Sequence, residues 1–140
     1  MRSYVYAIFA FSVLIIIITG AFMMNRQDTG KPSDSENQIL DAEQFREQRE
    51  KSPGKIIDVR TPEEYEEGHL AEADQLIDFR SDSFDSEISK LDKNETYYLY
   101  CRTGGRSGKA VEKMKKAGFS DVYNVGGYDQ LVKDGFESDK

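Results

Sequence analysis

The chain contains a single cysteine, Cys101, and its neighbours define what that thiol could do. Tyr97, Tyr98, Leu99 and Tyr100 read as an apolar, aromatic strand. Cys101 stands at the first turn position after them. Arg102, Thr103, Gly104, Gly105, Arg106 and Ser107 then lead into a helix. A free thiol has a pKa of about 8.5, and only its thiolate is a good nucleophile. A helix N-terminus presents unpaired N–H groups and the positive end of the dipole, which favour an anion. Gly104 and Gly105 permit a tight backbone path that aims successive amides inward. Arg102 and Arg106 add positive charge beside the sulfur. No histidine base is needed, because the local field alone can lower the thiol pKa. The same surroundings would hold a persulfide, whose outer sulfur also carries negative charge.

The elements that must position this loop alternate between helix and strand. Asp41, Ala42, Glu43 and Gln44 have the form of a capping box, opening a helix to about Lys51 that Ser52, Pro53 and Gly54 stop. Lys55 to Val59 reads as a buried strand. Thr61, Pro62, Glu63 and Glu64 open a second helix. Ala73 to Ile77 reads as another strand, and Ser83 to Leu91 as a short amphipathic helix with Phe84, Ile88 and Leu91 on one face. Thr96 to Tyr100 is the strand before the loop. Ser107 to Ala117 is the helix after it, with Ala110, Val111 and Met114 inward and Gly118 closing it. Asp121 to Val125 is a last strand, and a terminal helix follows Gly126, Gly127 and Tyr128. Such alternation implies an α/β fold with a central parallel sheet flanked by helices on both faces. Sites in such sheets lie beyond the C-terminal ends of the strands, where Cys101 falls.

Cys101 through Ser107 resembles the C-x-x-G-x-R-S active-site loop of rhodanese-type sulfurtransferases. Ile57-Asp58-Val59-Arg60 resembles the strand-ending D-V-R of that family. Glu63-Glu64-Tyr65-Glu66-Glu67-Gly68-His69-Leu70 resembles its E-[FY]-x-x-G-H-[IL] segment. Gly118-Phe119 with Val122 to Val125, and Gly126-Gly127-Tyr128, resemble the stretches after the active-site helix. The resemblance covers essentially all of residues 38–137. It implies a small rhodanese-like α/β fold and a Cys101 that carries sulfane sulfur. The donor would be thiosulfate or a persulfide, and the acceptor cyanide or a thiol. It further implies that the amides of Arg102, Thr103, Gly104, Gly105, Arg106 and Ser107 form the cradle. The Arg102 and Arg106 side chains would then attract an anionic donor. A non-turnover sulfur-carrier or protein-binding module is the alternative that the same loop allows. The sequence departs from the family where Ala71-Glu72-Ala73 follows Leu70, and where no tryptophan follows Tyr128. Leu131 or Phe136 is expected to fill that second volume.

Other chemistries fit less well. Cysteine phosphatases use C-x₅-R to encircle a phosphate, whereas Cys101 to Arg106 is C-x₄-R, a cradle better sized for one sulfur. Residues 103–110 fail as a phosphate-binding P-loop, because Thr103 replaces the first glycine and Ala110 follows Lys109. His69 is expected to be a hydrogen-bonded structural histidine. Asp58 and Arg60 are expected to form an internal ion pair, with room for a supporting role at the site. Asn94-Glu95-Thr96 has the form of a glycosylation acceptor. One cysteine excludes an intramolecular disulfide and a zinc site of several thiolates, and one histidine argues against a metal cluster. No metal or cofactor is expected.

The totals bound the rest. A chain of 140 residues suits one domain plus an appendage. The net charge of −7, without a long basic run, opposes nucleic-acid binding. Residues 4–24 carry no charge and include Ile15 to Ile18 in succession. As a helix they would span roughly 31 Å, about a bilayer core. A transmembrane anchor is expected there, with the C-terminal domain extracytoplasmic because Arg2 lies on the other side (periplasmic, if the source is bacterial). A signal helix cleaved near Thr19-Gly20-Ala21 is the alternative, giving an exported protein. Residues 25–37 read as a flexible polar linker, 38–137 as the rhodanese-like domain and 138–140 as a tail.

Overall fold

A computed structural model describes residues 38–140. The anchor or signal segment expected at 4–24 and the linker at 25–37 lie outside the described residues. No helix among the described residues is long and apolar enough to cross a membrane.

The elements follow in the order α1 (Ala42–Lys51), β1 (Lys55–Asp58), α2 (Pro62–Glu66), β2 (His69–Leu70), β3 (Gln75–Leu76), α3 (Phe84–Ile88), β4 (Tyr97–Cys101), α4 (Gly105–Lys116), β5 (Val122–Gly127), α5 (Tyr128–Lys133) and β6 (Ser138–Asp139). The main sheet has the order β3-β1-β4-β5, and every pairing in it is parallel. The tail residues Ser138 and Asp139 pair antiparallel with Leu70 and His69.

Side chains alternate across a strand, and here the alternation sorts the core into two layers. Ile57, Tyr97, Leu99 and Cys101 face one side, under Ala110, Val111 and Met114 of α4 and Phe84 and Ile88 of α3. Ile56, Tyr98 and Tyr100 face the other, under Phe45 of α1 and Leu131 of α5. Phe136 joins this second layer, so both residues expected to replace the missing tryptophan are buried there. The tyrosines bury their rings and keep partners for their hydroxyls. Tyr97 donates to the Asp92 carbonyl at 2.9 Å, Tyr98 donates to that of Ser52 at 2.7 Å, and Tyr100 accepts the Leu70 N–H at 3.1 Å.

Both expected N-caps form. The Gln44 N–H donates to Asp41 Oδ1 at 2.9 Å, and the Asp41 N–H donates back to Gln44 Oε1 at 3.0 Å. Thr61 and Glu64 make the same reciprocal pair at the start of α2. Several boundaries differ from the sequence reading by a few residues, β3 and α3 being shorter and β5 running on to Gly127, and two of the differences bear on the site. Cys101 is the last residue of β4, not the first of the turn, because it still pairs with Gly127. Helix α4 begins at Gly105, two residues early, because Gly104 alone supplies the reversal.

Candidate active site

Arg102, Thr103 and Gly104 are all that separates strand β4 from helix α4. Gly104 has φ +93°, a conformation that side chains oppose, and its carbonyl accepts the Gly108 N–H at 3.0 Å to start the helix. The bend lies against the end of β5. A Cβ on Gly127 would come 2.5 Å from the Arg102 carbonyl oxygen, so only glycine lets strand and bend meet. A Cβ on Gly105 would meet nothing within 4 Å, so that side of the bend is open.

The bend returns its backbone to the sulfur. The Gly104 N–H donates to Cys101 Sγ at 3.1 Å, and the Ser107 hydroxyl lies 3.5 Å from it. Burial by itself raises the thiol pKa. Hydrogen bonds from the Ser107 hydroxyl and from the amides of Ser107, Thr103 and Gly104 outweigh it, and the net shift is downward. Cys101 is 1 % exposed, so the sulfur lies at the floor of the bend. Little water competes for its charge there.

The two arginines differ in their surroundings. Arg106 is held in a fork by Glu64, with Nη1 2.6 Å from Oε2 and Nη2 2.7 Å from Oε1. That pairing, which outweighs the cost of partial burial, brings the Glu64 pKa down to about 2. The charge on Cys101 also favours the Arg106 cation. Arg102 is exposed and has no ion-pair or hydrogen-bond partner for its side chain among the described residues. It lines two open clefts, of about 620 and 540 Å³, on either side of the bend. Cys101 lines neither.

The Rhodanese-like domain family matches residues 41–134. The chain belongs to this family. Rhodanese-like sulfurtransferases are among its relatives. It is 37% identical over 78 residues to the thiosulfate sulfurtransferase PspE of Escherichia coli (strain K12), covering 54% of this chain and 72% of that one. It is 42% identical over 72 residues to the probable adenylyltransferase/sulfurtransferase MoeZ of Mycobacterium tuberculosis (strain H37Rv). That match covers 51% of this chain but only 18% of the much longer relative. A crystal structure of a rhodanese-like domain protein from Staphylococcus aureus superposes with a TM-score of 0.58 at 33% identity, covering 71% of this chain and 96% of that one.

Within this rhodanese-like domain, the sequence-expected residues divide into groups. Cys101, Thr103, Gly104 and Ser107 come together around the sulfur. Gly105 and Arg106 occupy the first turn of α4, and the Arg106 side chain turns to Glu64. Asp58 and Arg60 form the expected ion pair, Nη2 to Oδ2 at 2.6 Å, at 0% and 4% exposure. Arg60 also donates to the Gly68 carbonyl at 2.7 Å and packs over the Tyr128 ring. That pair ties β1 to the segment before β2 and leaves Arg60 at the edge of the larger cleft. His69 stacks on Tyr65, and its Nδ1–H donates to the Tyr65 carbonyl at 3.1 Å, which makes it structural. The sequence reading missed Asn124. It is 3% exposed and hydrogen-bonds the bend from the neighbouring strand. A polar residue in the apolar run of β5, just before two glycines, was the signal that could have found it.

Proposed function

We propose that this chain moves sulfane sulfur from a small donor such as thiosulfate to a thiophilic acceptor through a persulfide on Cys101. The convergence of the Gly104 amide and the Ser107 hydroxyl on a lowered-pKa thiol carries this reading. Cys101 thiolate attacks the outer sulfur of thiosulfate. A new S–S bond forms, the old one breaks, and sulfite leaves with the electron pair. The negative outer sulfur of Cys101–S–S⁻ is then held by the amides at the bend. Cyanide or a thiolate attacks that outer sulfur, takes it, and returns Cys101 as thiolate. No external oxidant or reductant is consumed. The donor reaches the sulfur past the open side at Gly105, and exposed Arg102 supplies the cation that draws it in. The thiosulfate sulfurtransferase name of PspE supports the choice of donor.

The proposal extends to location. The uncharged segment 4–24 anchors the chain in a membrane, and the rhodanese-like domain works on the extracytoplasmic side. The test of the chemistry is cyanolysis. The purified full chain with thiosulfate and cyanide yields thiocyanate, and Cys101→Ser abolishes it. Thiocyanate formation that survives the substitution rules the mechanism out.

A second reading, a sulfur carrier without small-molecule turnover, draws support from the near-complete burial of Cys101. It is distinguished by intact-protein mass. A gain of one sulfur on Cys101 without cyanolysis favours the carrier.

A further inference from the structure

Asn124 sits in the middle of β5, and its side chain reaches across to the bend. Its Oδ1 accepts the Gly126 N–H at 3.0 Å. A backbone N–H can only donate, so this contact fixes which end of the amide is oxygen. The other end, Nδ2, therefore donates to the Gly104 carbonyl at 3.0 Å. That leaves one lone pair on Oδ1, and the Ser107 hydroxyl fills it at 2.7 Å.

The Ser107 hydroxyl has one proton and three acceptors within reach: Asn124 Oδ1 at 2.7 Å, the Gly104 carbonyl at 3.1 Å and Cys101 Sγ at 3.5 Å. A neutral thiol is a weak acceptor, so in the resting state the proton goes to Asn124. An anionic sulfur changes the balance, because a charge-assisted hydrogen bond is about twice as strong as a neutral one. The proton then turns to Sγ, while Asn124 Nδ2 and the Gly108 N–H keep the Gly104 carbonyl filled, so that carbonyl does not capture the hydroxyl instead. We infer that Asn124 is a positioning residue for the sulfur chemistry: its Nδ2 holds Gly104 by the carbonyl and occupies that acceptor, which leaves the Ser107 hydroxyl free to turn to an anionic Cys101.

This inference rests on the proposed Cys101 chemistry, but it is read out separately. The measurement is the pH dependence of iodoacetamide alkylation of Cys101 in the full chain, alongside cyanolysis and thermal melting. Asn124→Asp keeps the size and the acceptor oxygen, removes the donor to Gly104, and places an anion beside the sulfur. The alkylation midpoint is expected to rise by about one pH unit, with roughly a tenfold slower reaction at pH 7. Asn124→Ala moves the midpoint the same way by less. Without its amide donor, the Gly104 carbonyl captures the Ser107 hydroxyl, and the sulfur loses it.

Should the Asp variant fail to fold, the alanine variant and a double substitution carry the test. Ser107→Ala shifts the midpoint upward in the parent, and that shift shrinks when Asn124 is already alanine, because the two act as one unit. An equal Ser107→Ala shift in both backgrounds overturns the inference. So does a lower melting temperature with an alkylation midpoint unmoved within about 0.2 pH unit. If the parent chain makes no thiocyanate, the sulfurtransferase reading fails. The alkylation midpoints still decide the role of Asn124.

Discussion

Glu64 governs how much positive charge Cys101 feels, through Arg106. The guanidinium is held in a fork of two bonds by the Glu64 carboxylate, whose negative charge opposes the favourable field of Arg106 at the sulfur. Because hydrogen bonding to Arg106 lowers the Glu64 pKa to about 2, the carboxylate stays charged throughout the working pH range. The pair therefore does not gate activity near neutral pH. Glu64→Gln removes the anion but leaves Arg106 in reach. The expected result is a thiosulfate KM several-fold lower with kcat changed little, read from cyanolysis. An unchanged or higher KM would show that Arg106 does not reach the donor. The same variant tests stability. A carboxylate with a depressed folded pKa stabilises the fold above its ordinary value of 4.5, and that contribution is lost as pH falls toward about 2. The pair is part-exposed, so screening leaves roughly 1 kcal/mol of the effect. Acid unfolding of Glu64→Gln should begin at higher pH than that of the parent and converge with it near the bottom of this window. Circular dichroism across the titration checks this.

At the scale of elements, the bend between β4 and α4 exists because two glycines permit it from opposite sides. Gly104 supplies the reversal, and Gly127 supplies the room. Gly127 itself has φ −109°, open to any residue, so its constraint is space alone. Gly127→Ala forces a methyl group to within 2.5 Å of the Arg102 carbonyl, and backbone must move. Overpacking of this kind costs about 1–3 kcal/mol. Since the displaced atoms belong to the bend, cyanolysis should fall by more than the melting temperature suggests. Retained activity in a destabilised variant would mean the bend tolerates the shift. Asp41→Ala tests the first helix instead. It removes a capping box far in sequence from Cys101, and should cost about 1 kcal/mol in urea unfolding with kcat unchanged. The contrast between these glycines and caps also explains what the sequence made legible. Caps, strand periodicity and the Cys101–Ser107 loop are local patterns, and they led directly to the parallel sheet and the bend. Three features depended on distant partners. Cys101 belongs to β4 only because Gly127 pairs with it. Ser138 and Asp139 become a strand only because His69 and Leu70 lie alongside. Asn124 clamps the bend across 20 residues of sequence, a separation that no local pattern encodes.

The whole molecule joins an acidic domain to an uncharged leading segment, and the proposed location follows from that combination. A free acidic domain needs no such segment. Residues 4–24 have the length of a bilayer span, and residues 25–37 hold Gly, Pro, Ser and mixed charge suited to a spacer. The face of the domain bearing Cys101 would then meet donors outside the cytoplasm, where thiols are prone to oxidation. Burial of Cys101 at 1 % exposure fits that setting, since a buried thiol is less open to oxidation than an exposed one. The full chain, expressed in a bacterial host, is expected to sediment with membranes and to stay there through alkaline carbonate. External protease, applied to cells stripped of their outer layer, should release the domain while cytoplasmic markers survive. A released protein beginning just after Thr19-Gly20-Ala21 would replace the anchor with a cleaved signal and keep the outward orientation. A full-length chain in the soluble fraction, its first residues intact and protected from the protease, would sink both the anchor and the outward-facing domain.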